Sequence, residues 1–161
     1  MDKALLVIDV QEAITKQNNQ GIQATLQTIN QVISSFPKEQ VYYIRHIEPN
    51  TEFDESSSDS FLSKDLLIVN DQIIKKHYNS AFLKTGLDEQ LKAKNINHIY
   101  ICGFQTEYCI DATIKTGHFL GYHVSVYENG HHTFDREIIA TQLKDHYNLQ
   151  FQIYADIIAN E

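Results

Sequence analysis

His98-Ile99-Tyr100-Ile101-Cys102-Gly103-Phe104-Gln105-Thr106-Glu107-Tyr108-Cys109 decides how this chain is read. Its first half is a short apolar run, as in a buried strand, and Gly103 breaks it. Thr106 then suits a helix N-cap, because its hydroxyl can accept a free N–H of the first turn. Cys109 falls at the third helical position, where unpaired N–H groups and the helix dipole favour negative charge. A thiol there is expected to have a lowered pKa, and the thiolate is the nucleophile.

Two distant residues suit the same place. Ala4-Leu5-Leu6-Val7-Ile8 reads as a buried strand ending in Asp9, and Ile73-Ile74-Lys75-Lys76 as another ending in lysines. In an open parallel sheet, ligands bind beyond the carboxyl ends of the strands. Asp9, Lys76 and Cys109 all follow a strand there, so an acid, an ammonium and a thiol can share one crevice.

Strand signals recur at Ala4–Asp9, Gln40–Arg45, Gln72–Lys76, Ile96–Cys102, Tyr122–Tyr127 and Gln150–Tyr154. Helical patterns lie between them at Ile22–Ser35, Leu87–Lys94, Glu107–Phe119 and Asp135–His146. Gly86 precedes the second helix, Gly121 suits the end of the third, and Asp135 can cap the last. Strand alternating with helix implies βαβ crossovers and a mostly parallel sheet. The expectation is one α/β domain over residues 1–161: a three-layer α/β/α sandwich on a central, mostly parallel, six-stranded sheet of Rossmann-like order. Glu48–Ser63 is polar and contains Ser56-Ser57-Ser58, which predicts a solvated, mobile loop.

Acidic residues outnumber basic ones, for a formal net charge of −8. This disfavours nucleic acid and anionic membrane surfaces as partners. No apolar run approaches a membrane span, and the amino terminus enters a strand with no signal-peptide pattern. The chain has only two cysteines, Cys102 and Cys109, one on a predicted strand and one on the helix after it. A structural disulfide is not expected, and a reducing cytoplasm is. No Gly-rich phosphate loop appears, so no organic cofactor is expected.

The ordered set Leu5-Leu6-Val7-Ile8-Asp9-Val10-Gln11, Lys76 ahead of Ser80-Ala81-Phe82, and Gly103 to Cys109 continuing as Ile110-Asp111-Ala112-Thr113 resembles the isochorismatase-like cysteine hydrolases. Gly121-Tyr122-His123-Val124-Ser125-Val126 and Thr133-Phe134-Asp135 extend the resemblance over nearly the whole chain. It implies hydrolysis of a small amide, carbamoyl or related C–N bond. Cys109 would attack, Asp9 would take and return the proton, and Lys76 would balance their charges. Lys75 is a rival beside Lys76, and spacing to Ser80-Ala81-Phe82 selects Lys76. The resemblance also implies an oxyanion hole from the backbone N–H groups of Gln105 and Cys109, a cis Phe104–Gln105 peptide, and a homodimer or larger homo-oligomer. It puts the Glu48–Ser63 region near the pocket entrance.

Other residues keep two readings. Gln11 lines the pocket or is a polar residue at a helix start. Phe82 and Tyr108 are pocket walls or core residues. His46 borders the pocket or the surface, and Phe61 stands in for a tryptophan the family often carries. Cys102 is read as core. The family's nicotinamidases hold a metal through an acid and two histidines after the second strand. Tyr43-Ile44-Arg45-His46-Ile47-Glu48-Pro49 lacks that pattern, so no metal is expected. His131-His132 are read as surface histidines after the fifth strand. Two alternatives stay open: vinyl-ether hydrolysis, which does not need the cysteine, and a non-catalytic metabolite-binding or scaffold protein on the same fold. A redox-sensing thiol is a third, and needs Cys102 and Cys109 within disulfide range.

Overall fold

The computed structural model describes residues 2–17 and 19–159. Strands β1 (Lys3–Ile8), β2 (Val41–His46), β3 (Ile73–Lys76), β4 (His98–Phe104), β5 (His123–His132) and β6 (Asp156–Ile158) form one sheet. Its order is β3-β2-β1-β4-β5-β6, and every neighbouring pair is parallel. This is the expected three-layer Rossmann-like arrangement. Helices α1 (Glu12–Thr15), α2 (Gln20–Ser35), α3 (Leu87–Ala93), α4 (Asp111–Phe119) and α5 (Ala140–Phe151) complete it.

The alternation of β1 divides the core. Leu5 and Val7 cluster with Ile22, Leu26, Ile29 and Ile33 of α2 on one face. Ala4, Leu6 and Ile8 cluster with Leu87 and Leu91 of α3, Ile114 of α4 and Phe151 of α5 on the other. Each such buried Leu, Ile, Val or Phe side chain stabilises the fold by about 1.5–3 kcal/mol. Gly86 (φ 74) and Gly121 (φ 95) take left-handed conformations at the start of α3 and beyond α4. Among the described residues, no helix is long and apolar enough to cross a membrane.

Several expectations about elements and loops need correction. Gln150–Tyr154 is not a strand: α5 runs to Phe151, and the last strand is Asp156–Ile158. The alternating Gln-Phe-Gln-Ile-Tyr looks like a strand, but Phe151 is fully buried while Ile153 is exposed, so the segment has no continuous inward face. The last helix starts at Ala140, although the Asp135 carboxylate still accepts from the Ala140 N–H at 2.7 Å. His131 and His132 are buried within β5 rather than on the surface, because this strand continues further than its apolar run suggests. Glu48–Ser63 is not free in solvent: its Ser60 carbonyl accepts from Arg45 Nε at 2.7 Å and from Gln11 Nε2 at 2.7 Å.

Gly103 fixes the centre of the sheet. It has φ 127, and a Cβ there would lie 2.0 Å from the Ile8 carbonyl oxygen. Only glycine lets the end of β4 approach the end of β1 this closely. The strand does not end at Gly103 as expected but runs to Phe104, with a register shift against β5 between Ile101 and Gly103.

Candidate active site

The strand order reverses between β1 and β4, which leaves a crevice beyond their carboxyl ends. Asp9 follows β1 in a left-handed conformation (φ 54), its N–H bonded to the Ile44 carbonyl at 3.0 Å. Such a backbone is tolerated by Asp at a cost of order 1 kcal/mol. Lys76 ends β3 and is fully buried. Beyond β4, the Phe104–Gln105 peptide is cis and the chain enters a π-helical turn, Thr106–Ile110, before α4.

That turn changes two expectations. The residue ahead of it is Gln105, with no side-chain cap, so Thr106 is not the N-cap. Its hydroxyl instead meets Nδ1 of His131 at 2.8 Å. Cys109 is then the fourth residue of the turn. Single π turns are rare and often sit at functional sites. His131 is completely buried, and burial lowers its pKa to about 4, so the ring is neutral at neutral pH. The Asn148 amide nitrogen donates to the Glu128 carbonyl, which leaves Asn148 Oδ1 to accept from His131 Nε2 at 2.8 Å. His131 Nδ1 is then the acceptor for Thr106. An α5–β5 relay therefore holds the turn that carries Cys109. The sequence reading missed it, because neither histidine has a recognisable spacing.

Asp9, Lys76 and Cys109 meet. Lys76 Nζ lies 3.0 Å from Asp9 Oδ2 and 3.2 Å from Cys109 Sγ. It also lies 2.9 Å from His46 Nδ1 and 3.0 Å from the Tyr78 carbonyl. Asp9 Oδ1 is buried and accepts no hydrogen bond among the described residues. The thiol is not ionised at rest: burial raises its pKa first, the Asp9 charge raises it further, and Lys76 opposes both. The expected lowering is overturned, because a buried sulfur beside a carboxylate outweighs the start of a helical turn. Lys75 instead points outward and pairs with Glu55.

Asp9, His46 and Cys109 each place a ligand-type atom within 4.8 Å of the others. The Lys76 ammonium already lies within 3.2 Å of all three, as the cation of this cluster. Burial, then Lys76, lowers the His46 pKa, so this ring is neutral and accepts at Nδ1.

A cavity of about 130 Å³ opens above the thiol. His46 and Tyr108 border it, as does Gln105. So do Glu48, Phe53 and Asn79, which the sequence reading did not single out. Asn79 sits between Lys76 and the quoted Ser80-Ala81-Phe82, its Oδ1 3.8 Å from the sulfur, and was within reach of that motif. Phe61 is elsewhere: it is 54% exposed with the Arg45 guanidinium over its ring. Phe53 supplies the aromatic wall instead. Phe82 is a core residue stacked on Tyr122, facing a different cavity beside Thr85 and Leu120.

Gln11 does not face the cavity either. Its buried amide accepts from the His46 N–H at 2.8 Å and donates to the carbonyls of His46, at 2.9 Å, and Ser60, at 2.7 Å. It ties β1, β2 and the Glu48–Ser63 wall together. Gln11→Ala strands these groups and is expected to destabilise the protein by about 2–3 kcal/mol. At this chain length the melting temperature should fall by about 4–12 °C. An unchanged calorimetric midpoint would show that the amide does not hold the wall.

The fold agrees with comparisons against known proteins. The family model described as the Isochorismatase domain matches residues 3–158. The chain belongs to the isochorismatase family of hydrolases. An uncharacterized isochorismatase family protein of Bacillus subtilis, YddQ, is 28% identical over 144 residues, covering 80% of this chain and 77% of that protein. The ureidoacrylate amidohydrolase RutB of Cronobacter sakazakii is 37% identical over 62 residues, only 38% of this chain and 27% of RutB. Among solved structures, an isochorismatase family protein superposes with TM-score 0.87 at 28% identity, covering 97% of both chains. The N-carbamoylsarcosine amidase of Thermoplasma acidophilum shares the fold, with TM-score 0.79 at 20% identity over 99% of this chain and 96% of that one.

Proposed function

We propose that the protein hydrolyses a small amide, carbamoyl or related C–N bond through a covalent Cys109 intermediate. The carrying observation is the contact of Lys76 Nζ with both Asp9 Oδ2, at 3.0 Å, and Cys109 Sγ, at 3.2 Å, at the floor of the cavity. The amide chemistry named for RutB and for the N-carbamoylsarcosine amidase supports the choice of bond.

The raised thiol pKa makes proton transfer part of the attack. Asp9 takes the thiol proton through its unpartnered oxygen as sulfur bonds to the carbonyl carbon. Negative charge then appears on the carbonyl oxygen, and preorganised N–H donors stabilise it. The Gln105 N–H supports that role, since it has no acceptor among the described residues. Collapse breaks the C–N bond, and Asp9 returns the proton to the leaving amine. Water then attacks the thioester, Asp9 accepts its proton, and the acid leaves with the sulfur reprotonated. Lys76 holds the Asp9 carboxylate and stabilises sulfur as it gains charge.

The two free cysteines support a reducing, cytoplasmic setting. Homo-oligomerisation stays a proposal, which sedimentation of the purified chain would decide.

The test is to incubate the protein with a panel of small primary amides and carbamoyl compounds, measuring ammonia and the intact mass after acid quench. An acyl adduct mapped to Cys109 is expected wherever ammonia is released. Ammonia release with no adduct under any quench, and no inhibition by thiol alkylation, would sink the covalent route.

A further inference from the structure

The walls of the cavity carry a charge imbalance. Asp9 and Glu48 border it, and no lysine or arginine does among the described residues. The Asp9 charge is already met by the buried Lys76. Among the described residues, the Glu48 carboxylate has only His46 Nε2, at 3.5 Å, and its side chain is 57% exposed. Burial and the nearby Lys76 keep His46 neutral, so it does not cancel the Glu48 charge.

The other cations near the site are spoken for. Arg136 bonds Gln105 Oε1 at 2.7 Å and faces Glu107 at 3.6 Å, its guanidinium over the Tyr108 and Phe134 rings. Lys75 pairs with Glu55, and Lys16 with Asp59. Arg45, next to His46, has no carboxylate partner among the described residues, but it lies outside the cavity lining, donating to the Ser60 carbonyl and hydroxyl at 2.7 and 2.6 Å with its guanidinium over Phe61. Glu48 is therefore the carboxylate of the cavity wall that has no lysine or arginine partner among the described residues. Beside it stands the aromatic ring of Phe53, a side chain whose face attracts cations, while Tyr108 borders the cavity with Arg136 already over its ring. The cavity volume of about 130 Å³ lies well below that of pockets for drug-sized ligands.

We propose that the substrate is a small amide or carbamoyl compound that also carries a positive charge, an ammonium or guanidinium group, which pairs with Glu48 beside the Phe53 side chain. This rests on Cys109 being the nucleophile of the site. An anionic substrate of the same size would place its charge against Glu48, with no lysine or arginine in the described lining to receive it.

The test uses three methanethiosulfonates of matched length, the 2-aminoethyl, 2-hydroxyethyl and 2-sulfonatoethyl reagents, on the native protein at mildly alkaline pH. Each rate at Cys109, separated from Cys102 by peptide mapping, is divided by the rate of that reagent with free cysteine. The normalised rate should be highest for the cationic reagent and lowest for the anionic one, with about fivefold between neighbours. Glu48→Gln should collapse this ordering, and Glu48→Lys should reverse it. Because the whole chain is strongly acidic, an ordering that survives Glu48→Gln reflects the general field and overturns the proposal. So does a wild-type protein that treats the reagents alike or favours the anionic one, while the covalent route then stands. A Cys109 inert to all three removes the nucleophile itself, and both proposals fall together.

Discussion

Cys109→Ala is expected to reduce amide turnover at least about 10⁴-fold, while the protein stays folded. The sulfur is the atom that bonds to substrate in the proposed route, and removing a nucleophile leaves only binding and oxyanion stabilisation. Folding should survive because the side chain is small, sits at the edge of the core cluster, and leaves the Asp9–Lys76 ion pair intact. Cys102→Ala is the matched control. That thiol is fully buried on β4, with one weak contact to the Leu6 carbonyl at 3.9 Å, so turnover per folded molecule should stay within about twofold. Initial ammonia-release rates for the two variants, with melting curves for both, decide the matter. Full activity in Cys109→Ala would refute thiol catalysis. Retention of vinyl-ether hydrolysis alone would favour that reaction on the same fold. No turnover by the wild-type protein of any compound it binds would favour a metabolite-binding protein.

The legible parts of this chain were those where one physical demand dominates a short segment. Leu5 to Ile8 are buried on both faces of a sheet, so the run is apolar throughout and easily recognised. Asp9 and Lys76 are polar residues placed where an apolar run stops, and that contrast marks a strand end. The ionisation state of Cys109 was not legible. It depends on how deeply the sulfur is buried and on which charge lies nearer, and both are set where the ends of β1, β3 and β4 bring Asp9, Lys76 and Cys109 together. The π turn was hidden for a similar reason: its Ile110 N–H reaches back to the Gln105 carbonyl at 3.2 Å, a choice made by packing against β5 and α5 rather than by local propensity. Glu48 and Phe53 were lost in a polar segment. Their role comes from Gln11 and Arg45 anchoring Ser60, contacts between residues far apart in sequence.

Asp9→Asn should move two measurable quantities in opposite directions. Turnover should fall about 10²–10⁴-fold, because an amide cannot accept the thiol proton or return it to the leaving amine. Alkylation of Cys109 by iodoacetamide should instead become faster at a fixed neutral pH, by about tenfold. The sign follows from the causes of the raised thiol pKa: the Asp9 charge is one of them, and Lys76 is what opposes it. With Asp9 neutral, the fully buried Lys76 ammonium has the sulfur, 3.2 Å away, as its nearest potential anion, and thiolate is favoured. The rate-against-pH curve therefore shifts to lower pH while burial still holds it above that of a free thiol. Lys76→Met removes the influence that favours thiolate, so its curve should shift to higher pH and its turnover should fall as well. Each substitution breaks a buried ion pair, at a cost of about 3–5 kcal/mol, so labelling must be compared on protein shown to be folded. A site that had merely loosened would speed labelling in both variants. Opposite shifts in the two variants, with turnover lost in both, are what a carboxylate base and an ammonium acting on one sulfur require; shifts of the same sign would remove Asp9 from the proton path.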